Sequence, residues 1–268
     1  MFIENEVKII NHQKLILGDC LPILKTFADK IFDTIVTSPP YNLGIQYKSY
    51  SDNLEFKNYL KWLKFVFSEC KRVLKDDGSL FLNIGGSNVQ PWVPYDVLSI
   101  LRDIFILQND IIWVKSISLK NQSHGHYKPI NSKRFLNHMY EHIFHLTKDG
   151  NVEIDRKAIG VQYVYKCNLK AVTVTEDVRC RGNTWFIPYE TIHNKKQKGT
   201  HPAIFPVQLV EWCIKLANSK NVLDPFVGSG TTLVACQNLQ VNGIGIEIDK
   251  EYLEFAKDRL ETIKTDLI

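Results

Sequence analysis

Apolar residues along this chain fall into two alternating patterns. Short, partly β-branched runs occur at Lys14-Leu15-Ile16-Leu17, Phe32 to Val36, Leu80 to Ile84, Asp110 to Val114, Glu141 to Leu146, Asn221 to Asp224 and Gly243 to Asp249. Their length and bounding residues predict buried strands. Between them, apolar positions recur at helical spacing: a short helix from Leu21, then Phe56 to Leu74, Val97 to Phe105, Pro206 to Leu216, Thr231 to Leu239, and Tyr252 to Ile263. Lys75-Asp76-Asp77-Gly78 supplies a stop signal after the longest of these. Strands alternating with helices predict an α/β fold, a doubly wound and mostly parallel sheet.

The rhythm breaks in the middle. From Ser116 to Arg134, and again from Asn151 to Thr200, helical period is lost and Lys, Arg, His, Asn, Gln and Tyr accumulate. The first stretch is expected to be a long loop and the second a small inserted region. One domain is therefore expected, with halves at 1–148 and 201–268 flanking an insertion at 149–200.

Composition narrows the classes. The chain has 268 residues, 44% of them hydrophobic, enough to bury a large core. Its six cysteines form no Cys-x-x-Cys pair, so neither a zinc site nor a disulfide framework is expected, and no metal. Met1 to Glu6 lacks a signal-peptide pattern and no apolar run reaches membrane-spanning length, so a cytoplasmic protein is expected. A net charge of +4 permits a polyanionic partner.

Two turns carry candidate chemistry. Thr37-Ser38-Pro39-Pro40-Tyr41-Asn42 follows a strand directly, and its consecutive prolines fix a rigid tip. Asp224-Pro225-Phe226-Val227-Gly228-Ser229-Gly230-Thr231-Thr232 is a glycine-rich turn between a strand and a helix start, where free N–H groups suit an anionic group. Its spacing fits neither the dinucleotide nor the Walker fingerprint. Glu247 and Asp249 stand at the end of the next strand, where a carboxylate in such a sheet takes a ribose hydroxyl pair. Turn and acid together indicate a nucleoside-bearing cofactor.

These motifs, as a set and in this order, resemble those of the S-adenosylmethionine-dependent DNA amino-methyltransferases of the permuted beta group. His201 to Pro206 and Gly18-Asp19 resemble further elements of that pattern. The resemblance implies a Rossmann-like methyltransferase fold in which Lys14 to Leu17 lies beside the Glu247 strand. It implies catalytic roles for Ser38, Pro39, Pro40 and Tyr41. It implies cofactor contacts from Asp19, Cys20, Thr37, Asp224, Phe226, Gly228, Ser229, Gly230, Thr231, Glu247 and Ile248. Ser38 Oγ and the Pro39 carbonyl would accept from an exocyclic amine, while Tyr41 stacks on a base flipped from duplex DNA.

Serine in the catalytic motif favours the N4 of cytosine, with the N6 of adenine as the alternative. An RNA or protein amide methyltransferase, or a non-catalytic nucleic-acid-binding protein, are more distant readings. DNA contacts are expected from Lys120, His126, Lys128 and Arg134 in the first polar stretch. The second, which the resemblance makes a target-recognition region, offers Arg179, Arg181, Lys195, Lys196 and Lys198. A homodimer and a partner restriction endonuclease are further implications.

Overall fold

In a computed structural model, the described residues are 6–42, 54–120, 122–125, 131–163, 177–189 and 205–262. Nine strands form their largest sheet: β1 (Val7–Ile10), β2 (Gln13–Leu17), β3 (Phe32–Thr37), β4 (Leu74–Ile84), β5 (Ile106–Val114), β8 (Tyr140–Thr147), β11 (Thr184–Phe186), β12 (Asn221–Asp224) and β13 (Asn242–Glu247). They lie in the order β1-β2-β13-β12-β3-β4-β8-β5-β11. From β2 through β13, β12 and β3 to β4 every pairing is parallel. β8 runs antiparallel to both β4 and β5, and β1 is an antiparallel edge.

The N-terminus completes the C-terminal half, as expected. Gly243 to Glu247 pair in register with Gln13 to Leu17, although the two segments lie at opposite ends of the chain. Gly18 N–H then donates to the Glu247 carbonyl at 2.8 Å, fixing the two strand ends together.

Each central strand sends alternate side chains to opposite faces. Ile35, Leu80, Leu82 and Leu223 enter one core, whereas Val36, Phe81 and Val222 enter another. Helices α1 (Cys20–Leu24), α2 (Phe56–Val73) and α3 (Val93–Leu101) cover the first. Helices α4 (Val207–Leu216) and α5 (Thr231–Asn238) close the second, and α6 (Lys250–Thr262) packs in a third cluster with Leu15 and Leu233. α2 buries Tyr59, Leu63, Val66, Phe67, Cys70 and Val73, a single stripe at helical spacing. Truncating Phe67 to alanine there is a cavity-forming change of about 3–5 kcal/mol.

Several expectations need correction. The stretch 116–134 is not simply a loop: β6 (Ser116–Leu119) and β7 (Gln122–Gly125) form an antiparallel hairpin. The inserted region is partly built into the domain. β9 (Val161–Gln162) and β10 (Val178–Arg179) form a small ribbon, but β11 joins the main sheet beside β5, and Trp185 and Ile187 bury in the second core. The third helix starts at Val93, not Val97, because Pro94 occupies its first turn, where a missing N–H costs nothing. β4 begins at Leu74, since the chain passes from α2 straight into pairing with Phe32 across an irregular register. Among the described residues no helix is long and apolar enough to cross a membrane.

Candidate active site

The order of the strands along the chain reverses between the parallel neighbours β12 and β3. From there the chain order runs outward through β4 on one side and through β13 and β2 on the other. A crevice forms at the carboxyl ends of strands at such a switch point. Here the crevice is a cleft lined by Gly18, Asp19 and Cys20 after β2, Ser38 to Tyr41 after β3, Pro225 to Ser229 and Thr231 after β12, and Ile246 to Asp249 at the end of β13. Trp62, Phe205 and Tyr252 complete the wall. The two motifs thus meet although 187 residues separate Thr37 from Asp224.

Their junction is a buried carboxyl. Asp224 accepts from the Thr37 hydroxyl at 2.7 Å, the Thr232 hydroxyl at 2.6 Å and the Phe226 N–H at 3.0 Å. Burial raises its pKa to about 6 in spite of those donors. Thr37 and Asp224 are 0% and 1% exposed and do not line the cleft. From behind the lining residues they hold its two sides in place.

Gly230 likewise stands behind the lining residues. It caps α5 in the left-handed region at φ 81°, and a Cβ there would lie 2.8 Å from the Ala256 Cβ. Only glycine lets the turn pass so close to α6. Ser229 and Thr231 border the cleft, but their hydroxyls accept from Arg259 Nη1, each at 3.1 Å, so both are tied down towards α6.

Glu247 closes the other side. Its carboxylate accepts the Gly228 N–H at 2.9 Å and the Asp249 N–H at 2.8 Å. Burial raises its pKa to about 7, with the neighbouring Asp249 charge adding to the rise. Asp19 caps α1 by accepting the Leu21 N–H at 2.9 Å. Phe226 packs against Trp62 with ring centroids 5.6 Å apart, and Ile248 stands at the rim. An acid at a strand end, a glycine turn at a helix start and a flat aromatic wall suit a cationic amino acid joined to a nucleoside. The donor set fits S-adenosylmethionine.

The proline tip is tied at each polar residue. Ser38 Oγ lies 2.9 Å from Tyr41 Oη, and the Asn42 side chain clamps Leu54 through its N–H at 2.8 Å and its carbonyl at 2.9 Å. Tyr41 packs its ring against the first core and turns its hydroxyl to Glu141 Oε2 at 3.3 Å and to Asn83. Asn83 and Glu141 come from β4 and β8, which the sequence reading did not connect to the site. Trp62 and Tyr252 were missed as well. Each sits in an ordinary amphipathic pattern, so nothing in the sequence marks it out.

The chain matches the family model described as DNA methylase (N6_N4_Mtase) over residues 32–258. It belongs to the N6/N4 DNA methylase family. Enzymes of this family transfer a methyl group from S-adenosylmethionine, the cofactor expected from the motifs.

The chain is 32% identical to the type II methyltransferase M.HpaI of Haemophilus parainfluenzae, covering 93% of itself and 74% of that protein. It is 28% identical to the DNA adenine methyltransferase YhdJ of Escherichia coli K12, over 96% of itself and 84% of that protein. Its fold is that of PvuII DNA methyltransferase, described as cytosine-N4-specific, with a TM-score of 0.71 at 20% identity over 98% of this chain and 92% of the other. The Thermus thermophilus protein TTHA0409, solved with S-adenosyl-L-methionine, superposes with a TM-score of 0.62 at 22% identity, over 91% of each chain.

The expected DNA contacts of this methylase divide. Lys120 and Arg179 are exposed, and Arg134 is exposed over the Phe135 ring at 4.9 Å. Arg181 is committed elsewhere: its Nε donates to the Ile159 carbonyl at 2.8 Å and its guanidinium lies 4.1 Å from the Trp212 ring. It packs the β9–β10 ribbon onto α4. His126, Lys128, Lys195, Lys196 and Lys198 lie outside the described residues.

Proposed function

We propose that this methylase transfers the methyl group to the exocyclic N4 of cytosine in a specific duplex DNA sequence, as the modifying partner of a restriction endonuclease. The observation that carries this reading is the rigid Ser38-Pro39-Pro40-Tyr41 wall facing the Gly228–Glu247 wall across one cleft. The relatives named as type II methyltransferases support the restriction context.

When bound, S-adenosylmethionine supplies an electrophilic methyl group. Asp19, Phe226, Glu247 and Ile248 hold the nucleoside part, with Glu247 taking the ribose hydroxyls. The aniline-like amine of cytosine is a poor nucleophile because its lone pair is delocalised. Ser38 Oγ and the Pro39 carbonyl accept its hydrogens and draw the nitrogen towards tetrahedral geometry. The prolines keep those acceptors from relaxing, so little reorganisation is spent during reaction. Tyr41 supplies a ring at the cleft for the extruded base, and Lys195, Lys196 and Lys198 contact phosphates.

Adenine N6 is the second reading, favoured by the likeness to YhdJ across nearly the whole chain. Serine at position 38 supports cytosine as the first reading. Incubation of duplex DNA with methyl-labelled S-adenosylmethionine tests the assignment. Label enters DNA with the natural chain and falls by about 10²–10³-fold with Ser38→Ala. Undiminished transfer by that variant would remove Ser38 from the reaction.

A further inference from the structure

A line of hydrogen-bonding groups leads away from Ser38 towards solvent. Ser38 Oγ is 2.9 Å from Tyr41 Oη, and Tyr41 Oη is 3.3 Å from Glu141 Oε2. Glu141 Oε1 accepts from Lys115 Nζ at 2.8 Å, and Asn83 Nδ2 donates to Oε2 at 3.1 Å. The Glu141 side chain is 17% exposed, so the line ends at water.

Space is reserved for it. A Cβ on Gly85 would stand 2.8 Å from Glu141 Cγ and 3.0 Å from Cδ. The absence of a side chain at Gly85 lets the carboxylate lie against the end of β4, level with Asn83.

The phenol has one proton and several acceptors, of which the carboxylate is the strongest. Directing that proton to Glu141 leaves Tyr41 Oη to accept from Ser38. The Ser38 hydroxyl then points away from the cleft, and its lone pairs are what an incoming amine meets. Burial, and next the Glu141 charge, raise the Tyr41 pKa well above the usual phenol value, so Tyr41 passes protons as a neutral hydroxyl and does not stand as a phenolate base.

We propose that Ser38, Tyr41 and Glu141 form a proton exit that takes the proton displaced from the target amine to solvent. This rests on Ser38 being the amine's acceptor, as proposed above. Once the amine nitrogen carries the methyl group it holds one proton too many. That N–H breaks as Ser38 Oγ takes the proton. Ser38 gives its own to Tyr41 Oη, and Tyr41 gives its own to Glu141 Oε2. Serine and tyrosine end unchanged, the amine ends neutral, and Glu141 ends as a carboxylic acid that loses its proton to water. No electrons change hands. Glu141 acts through Tyr41 and is a positioning residue for that proton, with Lys115, Asn83 and Tyr41 as the charged and polar groups facing it.

The test compares Ser38→Ala, Tyr41→Phe and Glu141→Gln in single-turnover methylation across pH, with S-adenosylmethionine and duplex affinities measured alongside. The expected result is a loss of about 10²-fold in the methylation rate for Tyr41→Phe and Glu141→Gln, with both affinities near those of the natural chain. The deficit should shrink as pH rises and hydroxide removes the proton instead. A merely misplaced Ser38 would lower the rate equally at every pH, which would overturn the relay. So would natural rates for Tyr41→Phe and Glu141→Gln beside an inactive Ser38→Ala, leaving the Ser38 assignment standing. An active Ser38→Ala would instead overturn that assignment. If Glu141→Gln binds no S-adenosylmethionine, Tyr41→Phe decides alone, by the same criteria.

Discussion

The hydroxyl of Thr37 donates to Asp224 at 2.7 Å across the point where the sheet reverses its chain order. This single contact joins the proline tip to the glycine turn. Neither residue faces the cleft, yet both fix the distance between its walls.

Removing that donor should loosen the junction. Thr37→Val keeps the shape and leaves a buried carboxyl oxygen short of one partner, a cost of about 1–3 kcal/mol. At about 2–4 °C per kcal/mol for a domain of this size, thermal melting should drop accordingly. An unchanged melting temperature would show the contact to be dispensable.

Glu247 should make stability depend on pH in a specific direction. Its folded pKa of about 7 lies above the ordinary 4.5, so the fold holds its proton more tightly than the unfolded chain does. The associated stability is fully present below the unfolded value and is lost as pH rises through about 7. Glu247→Gln mimics the protonated form. Its melting temperature should therefore gain on that of the natural chain as pH rises through that window. Parallel curves for the two proteins would contradict the assignment. The same variant should bind S-adenosylmethionine more weakly, as titration calorimetry would report.

Arg181 and the lysines of 195–198 should separate cleanly. Arg181→Ala loses a hydrogen bond and a ring contact, so melting should fall by the equivalent of about 1–2 kcal/mol with DNA affinity nearly unchanged. Joint alanine substitution of Lys195, Lys196 and Lys198 should do the reverse. Filter binding should show weaker DNA affinity and a salt dependence shallower by about 0.9 per lost phosphate contact. Equal salt slopes would remove those lysines from the interface.

The parallel half of the fold was legible because its signals are local. Apolar runs, helical spacing and turn residues place β3, β12, β13 and their helices within a few residues. The pairing of β2 with β13 followed from the order of motifs. What escaped depends on tertiary context. β11 is three residues long and is a strand only because β5 offers it an edge. β1 alternates exposed and half-buried positions without a strong apolar run. Within the site, Ser38, Tyr41, Gly228 and Glu247 stand in recognisable strings. Asn83 reaches Tyr41 from the end of β4, and Glu141 does so only because β8 runs antiparallel to β4, a pairing no local pattern announces, with Gly85 leaving it room. Thr37, Asp224 and Gly230 stand in the same strings, but that they lie behind the lining of the cleft could not be read there, since burial is not visible in a motif.

Which amine receives the methyl group is the question on which the proposed function turns, and the reaction product answers it. DNA methylated in vitro by the purified protein is digested completely and resolved into nucleosides by chromatography and mass spectrometry. N4-methyldeoxycytidine as the product is the predicted result. N6-methyldeoxyadenosine as the sole methylated nucleoside would contradict it.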